Sequence, residues 1–212
     1  MTAKRYLLLL LCLGLWACES TYYNAMEKVG IHKRDIMVDR VEDARDSQQD
    51  AQEEFRDALS QFRSVVSFDG GDLEKLYDRL NASYEDSAAA ADDIRERIDA
   101  VEGVAEALFE EWEEELSLYS NARLRAESAS KLRETQSRYR RLRDSLRRSE
   151  KSLDPVLATL RDNVLYLKHN LNASAISAIK GELTVIDRDV TAQIARMDEA
   201  ISESEGFIAQ LR

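Results

Sequence analysis

The sequence predicts an all-α protein, built as an up-down four-helix bundle or coiled coil of long antiparallel helices. The composition favours long helices, since the 212 residues include one proline and seven glycines and 33% of them are charged. Apolar residues recur at heptad spacing, without strand-like alternation. Three turn signals divide the chain into four segments of similar length, as an up-down bundle requires. Two helical hairpins sharing one very long central helix are the alternative, because the middle turn contains no glycine or proline.

The first 17 residues have the features of an export signal. Lys4 and Arg5 precede an apolar run over residues 6–16. This run is too short to cross a bilayer as a helix, which takes about 20 apolar residues, and its length is typical of a signal peptide. We therefore expect residues 1–17 to be a lipoprotein signal peptide and residues 18–27 to be a lipidated tether. An uncleaved anchor or an ordinary signal peptide is the alternative.

Both cysteines of the chain lie within this leader region. Leu15 and Ala17 before Cys18 resemble a bacterial lipobox, although Trp16 departs from that pattern. Cys18 is the expected lipidation site, and Cys12 would be removed with the signal peptide. Several acyl chains anchor a protein stably to a membrane, and a chain without a cysteine pair has no disulfide framework. We expect the periplasmic face of a bacterial membrane, with the outer membrane favoured over the inner one by the residue after Cys18.

The first helix is predicted over residues 28–67. Its heptad positions alternate between larger side chains and small ones: Val41, Gln48, Phe55 and Phe62, interleaved with Ala44, Ala51, Ala58 and Val65. A turn is predicted over residues 67–72, where Gly70 and Gly71 permit positive φ and Asp72 can cap the next helix.

The second helix carries six heptads in one register: Leu73, Leu80, Ser87, Ile94, Val101 and Leu108, with Tyr77, Tyr84, Ala91, Ile98, Ala105, Trp112 and Tyr119. A third pattern is shifted by one residue, with Ser120 and Asn121 as the expected turn before it: Leu132, Thr135, Tyr139, Leu142, Leu146, Ser149 and Leu153. Pro155 predicts a local break or kink.

After Pro155 the apolar stripe resumes through Leu157, Leu160, Val164, Leu167 and Leu171. A turn is predicted over residues 170–174, with Asn172 or Ser174 as the cap. The last helix carries Leu183, Val190, Ile194, Met197, Ile201, Ile208 and Leu211. Residues 28–212 are therefore expected to form a single helical-bundle domain.

Charge patterning supports the antiparallel order of these segments. The basic stretch 138–148 would lie beside the acidic residues 92–102 and 198–205. Four basic residues at the start of the first helix would face the acidic stretch 106–115: Lys28, His32, Lys33 and Arg34. Such pairs select an arrangement more than they add stability, since each exposed pair contributes about 0–1 kcal/mol.

The sequence lacks the common catalytic motifs. It contains no P-loop, no nucleophile elbow and no HExxH motif. Its two histidines, His32 and His169, have no glutamate three residues before them, so the di-metal motif of helical bundles is missing. A net charge of −11 argues against nucleic acid as a partner. We expect no enzyme activity, no catalytic residues, no metal site and no cofactor.

The segment 166–173 is the most distinctive part of the sequence. With the turn after the first helix it would form an interaction tip at the end of the bundle away from the tether: Phe68, Asp69, Lys168, His169, Asn170 and Asn172. The alternative is that the two asparagines and His169 end one helix and cap the next.

The chain resembles a family of predicted proteobacterial lipoproteins that is defined only as a domain of unknown function, of the DUF 2959 type. Four features carry the resemblance: Cys18, Asn121, residues 155–157 and the segment 165–173. The resemblance implies helical structure and an envelope location across the mature chain, and it implies no activity.

We therefore expect a structural or interaction module, tied to a membrane through Cys18, with a protein partner or self-association through its helices. The alternative is a module that binds a small envelope ligand, such as a lipid or a cell-wall fragment, between its helices. Small residues on the helix seams argue for tight packing instead: Ala44, Ala51, Ala58, Ala91 and Ala105.

Overall fold

The computed structural model describes residues 32–68 and 70–212, and it confirms the all-α bundle. The described chain forms α1 (Lys33–Ser64), a 3₁₀ turn (Val65–Ser67), α2 (Leu73–Leu116), α3 (Ala122–Lys151), α4 (Leu153–His169) and α5 (Ala173–Leu211). The first helix was predicted over residues 28–67. Its described part begins at Lys33, and the 3₁₀ turn that follows it ends at Ser67, in agreement with the predicted end.

Four helical columns pack around one core, because α3 and α4 follow each other in a single column. α1 packs against α2 and α5, and both of these pack against α3 and α4. Neighbouring columns are antiparallel: Lys33 at the start of α1 pairs with Glu111 near the end of α2 at 2.7 Å. The alternative with one continuous helix over residues 72–170 is wrong, since the chain turns back between α2 and α3. We call the end where α1 begins the proximal end, and the opposite one the distal end.

The heptad positions of α1 show how well the spacing predicts burial. All eight predicted seam residues of this helix are buried, including the small alanines that let neighbouring helices approach. Two predicted seam residues elsewhere in the chain are exposed instead: Tyr119 is 39% exposed and Leu171 is 46% exposed. Both lie beyond the ends of their helices, so helical spacing no longer decides which way their side chains face.

Three side-chain caps confirm the three predicted turns. Asp72 accepts hydrogen bonds from the backbone N–H groups of the second and third residues after it, and Asn121 and Asn172 do the same. Before Asp72, Gly70 and Gly71 have φ values of +126° and +156°, which side chains other than glycine rarely adopt. The caps satisfy backbone donors that a helix start leaves without partners.

The predicted break near Pro155 is confirmed, three residues earlier than the proline itself. α3 ends at Lys151 and α4 begins at Leu153, with Ser152 between them. Pro155 has no N–H to donate to the carbonyl of Lys151, and its ring would clash there. Because Pro155 lies in the first turn of α4, the missing N–H lowers helix stability only slightly, since N–H groups at a helix start have no helical acceptor.

Candidate functional site

At the distal end, the loop after α1 contacts the start of α5. Lys180 Nζ donates a hydrogen bond to the carbonyl oxygen of Phe68 at 3.5 Å, and the half-buried Phe68 ring packs against the core. Phe68, Leu73 and Ile176 line a surface cavity of about 350 Å³, with Lys180 at its edge. Asp69, also predicted for the tip, lies outside the described residues.

The other predicted tip residues belong to the turn between α4 and α5. Lys168 and His169 are exposed on the last turn of α4. Asn170 Nδ2 donates to the carbonyl oxygen of Tyr166 at 2.9 Å, while Asn172 caps α5. The side chains of Asn170 and Asn172 therefore form hydrogen bonds at the helix ends, as the alternative interpretation predicted. Neither Lys168 nor His169 lines the Phe68 cavity, so the predicted tip divides into two neighbouring patches.

Exposed apolar residues extend the second patch. Leu165, Tyr166 and Leu171 are 45%, 44% and 46% exposed. Tyr166 also lines a groove of about 470 Å³ between α4 and α5. The sequence prediction did not include Leu165 or Tyr166, although both fall off the core stripe formed by Val164 and Leu167. Apolar side chains that lie off a helix seam were the signal that could have identified them.

A layer of buried polar side chains crosses the middle of the bundle at the α3–α4 break. Ser149 Oγ donates to Gln48 Oε1 at 2.9 Å, and Gln193 Nε2 donates to the carbonyl oxygen of Ser149 at 3.1 Å. Ser152 Oγ donates to Gln193 Oε1, which ties α5 to the break. Within the described part of the chain, Gln48 Nε2 and Ser145 Oγ have no hydrogen-bond partner. Polar groups buried in a core cost stability unless paired, and they select one register of packing over others.

The basic stretch of α3 is paired with acidic helices on both sides, as predicted. Arg147 contacts Asp99 at 2.7 Å and Glu102 at 2.6 Å on α2, and Arg148 contacts Glu199 on α5 at 2.7 Å. Hydrogen bonds, first of all those to Glu102, raise the pKa of Arg147 above its ordinary value. Two arginines of this stretch, Arg147 and Arg148, are therefore paired with carboxylates of neighbouring helices.

An aromatic cluster forms around Tyr139, within this basic stretch. The Tyr139 ring meets Phe109 edge-on at a centroid distance of 5.4 Å and Phe207 at 6.4 Å. Burial, together with the nearby carboxylate of Glu102, raises the pKa of Tyr139 to about 12. Its phenol is therefore neutral at physiological pH and packs as a core residue.

At the proximal end, Trp112 is half-buried, and its Nε1 donates to Ser128 Oγ at 2.8 Å. The neighbouring acidic residues 113–115 are exposed, and Glu113 Oε1 accepts a hydrogen bond from Gln136 at 3.0 Å. Among residues 32–68 and 70–212, no group of three or more acidic, histidine or cysteine side chains is placed to hold a metal ion. In the same ranges no helix is long and apolar enough to cross a membrane. The predicted lipidation site, Cys18, lies outside the described residues.

These features define a class of protein: a helical bundle with a buried polar layer in its middle and exposed apolar side chains at its ends. The chain belongs to the family described as protein of unknown function (DUF2959), whose model matches residues 22–211. The match confirms the predicted resemblance to this domain of unknown function. No curated protein and no solved structure matches the chain.

Proposed function

We propose that the chain is a lipid-anchored structural or interaction module of the bacterial envelope, without catalytic activity. The observation that carries the proposal is the apolar run over residues 6–16 followed by the lipobox-like Cys18. Acyl chains on Cys18 would hold the protein at the periplasmic face of a membrane, the outer membrane in preference to the inner. The tether predicted over residues 18–27 would join this anchor to the bundle.

The distribution of reactive side chains supports a role without catalysis. His32 precedes α1 at the proximal end, while His169 ends α4 at the distal end. α2 connects the two ends with 44 residues, which corresponds to about 66 Å of helix. General acid–base chemistry needs its groups within hydrogen-bond reach of one substrate, and these two histidines cannot share one.

The distal end supports the interaction part of the proposal. It combines exposed apolar side chains, Leu165, Tyr166 and Leu171, with the exposed cations Lys168 and Lys180. Apolar and aromatic residues surrounded by polar ones are typical of surfaces that bind other proteins. We propose that a protein partner, or a second copy of this chain, contacts the bundle there. The acidic net charge of −11 disfavours nucleic acid as that partner.

The lipid anchor is tested by metabolic labelling with an alkyne fatty acid in a Gram-negative host that expresses the full chain. Wild type and Cys12→Ser, the matched control, should carry the label and sediment with the outer membrane. Cys18→Ser should carry no label. A labelled Cys18→Ser chain, or an unlabelled wild-type chain in the soluble cytoplasmic fraction, would contradict the proposal.

A further inference from the structure

A cavity of about 320 Å³ lies at the proximal end, where all four helical columns contribute to its lining. Arg34 comes from the first turn of α1, Trp112 from the end of α2, Lys131 from α3 and Phe207 from α5. Its volume is at the lower end of the range for small-molecule sites, about 300–1,000 Å³. The cavity is therefore large enough for one polar group and a short apolar portion of a ligand.

Two cations face this cavity without an internal counter-ion. Arg34 and Lys131 form no salt bridge with any residue that the structure describes. The third cation of the lining, Arg138, pairs with Glu134 one turn earlier on α3, so that pair contributes little net charge. In a chain of net charge −11, two such cations on one cavity favour an anionic ligand. A phosphate group suits the pair, since arginine and lysine are its usual protein partners.

Besides the polar residues Thr135 and Gln210, the remaining lining consists of three apolar side chains, Trp112, Phe207 and Leu211. The Trp112 ring is fixed by the hydrogen bond from its Nε1 to Ser128, and Phe207 is packed against Tyr139. Leu211, on the last turn of α5, adds an aliphatic side chain. Rigid aromatic walls with a few placed polar groups are the usual design of a ligand pocket. This arrangement can hold a hydrocarbon portion next to the anion.

We propose that the proximal cavity binds an anionic amphiphile, with its phosphate on Arg34 and Lys131 and its apolar part against Trp112, Phe207 and Leu211. The small-ligand alternative expected a ligand between the helices, and this cavity gives it a location at the proximal end, where the four columns converge. A phospholipid is the source of such a ligand if the chain is anchored beside a membrane, and that choice rests on the proposed function. The chemistry of the cavity does not rest on the proposed function, because every lining residue lies in the described bundle.

The test is calorimetric titration of the full chain, purified in a non-ionic detergent, with short-chain phosphatidic acid. Short-chain phosphatidylcholine and inorganic phosphate form the two comparison arms. Phosphatidic acid should bind with one-to-one stoichiometry, at least tenfold more tightly than either comparison compound. Equal binding of inorganic phosphate would overturn the apolar half of the proposal, and equal binding of phosphatidylcholine would overturn the role of net charge.

The variant that tests the site is the double substitution Arg34→Gln and Lys131→Gln, which should weaken phosphatidic acid binding at least tenfold. The matched control is Arg79→Gln with Lys151→Gln, since both residues are exposed and line none of the three cavities above. Its affinity should stay within twofold of wild type. Equal losses in the two double variants, or unchanged binding in the first, would overturn the proposal. The result does not depend on Cys18, so a failed lipid anchor and a failed site give different outcomes.

Discussion

Polar side chains in the middle of the bundle make different contacts from polar side chains at its two ends. In the middle, Arg147 meets three carboxylates, and Gln48 and Gln193 are buried in a hydrogen-bonded layer with Ser149. At the ends, by contrast, Arg34 and Lys168 form no salt bridge with any described residue. The ends also expose apolar side chains, such as Leu118 at the proximal end and Tyr166 at the distal end. Polar groups in the middle are paired with one another across helices, whereas the exposed cations Arg34 and Lys168 at the ends are placed to make contacts outside the chain.

The largest expected difference comes from apolar truncation. Phe55 is fully buried in the middle of α1, so Phe55→Ala should lower the free energy of unfolding by about 3–5 kcal/mol. Leu118 lies in the proximal loop and is 80% exposed, so Leu118→Ala should change it by less than about 0.5 kcal/mol. Urea denaturation followed by circular dichroism measures both values. Similar losses in the two variants would remove the distinction between middle and end.

The second difference concerns two adjacent arginines. The Arg147 side chain is 28% exposed and contacts three carboxylates, so Arg147→Met should cost about 1–2 kcal/mol. Arg148 is 56% exposed and contacts Glu199 alone, so Arg148→Met should cost below about 1 kcal/mol. The same denaturation assay at 50 mM and 500 mM salt measures both losses. A larger loss for Arg148→Met would mean that the three carboxylate contacts of Arg147 do not stabilise the bundle more than the single contact of Arg148.

A third prediction concerns the helix caps at the two ends. Asn172 accepts hydrogen bonds from the backbone N–H groups of Ser174 and Ala175, so Asn172→Ala should cost about 1 kcal/mol. Asn121 caps α3 at the proximal end in the same way, so Asn121→Ala should lower the stability by a similar amount. Ser120→Ala, one residue before that cap, is the matched control and should be neutral. The melting temperatures of the three variants decide the matter, and an equal fall for Ser120→Ala would show that the caps are not the cause.

The smallest expected effect is a pH dependence at Asp72. Hydrogen bonds from the Lys75 backbone, and then from its side chain, hold the pKa of Asp72 below its ordinary value of 3.8 despite some desolvation. A lowered pKa in the folded state means that this contribution to stability is present above the ordinary value and is lost as the pH falls through the lowered one. Asp72→Asn keeps a capping oxygen without the charge. Between pH 7 and pH 3 the melting temperature of Asp72→Asn should fall slightly less than that of the wild type. A larger fall for Asp72→Asn would contradict the stabilising role of the ionised Asp72 carboxylate.

The fold was predictable because it depends on periodicity and local turn chemistry. The α1 seam from Val41 to Val65 is buried as predicted, and Asp72, Asn121 and Asn172 cap the helices where the turns were expected. The misplaced residues, Tyr119 and Leu171, show the limit of periodicity, since it stops where a helix stops. Gln48 was assigned to the seam, but its contact with Ser149 depends on how two separate helices align.

The sites were harder to predict than the fold. The distal tip was predicted mainly from one unusual segment, and two of its six residues, Asn170 and Asn172, make helix-end hydrogen bonds. The proximal cavity was not anticipated, because Arg34, Lys131 and Phe207 are far apart in sequence and come together only when four helices converge. No local motif marks such a site.

The central claim is that contacts outside the chain are made at the ends of the bundle and not along its middle. Photo-crosslinking in living cells tests it, with a photoreactive amino acid at His169 and, as the matched mid-bundle position, at Glu96, which is also exposed on a helix. We expect a discrete adduct, with another protein or with a second copy of this chain, from position 169 and none from position 96. Adducts from position 96 alone, or equal adducts from both positions, would contradict the claim and would move the contact surface to the side of the bundle.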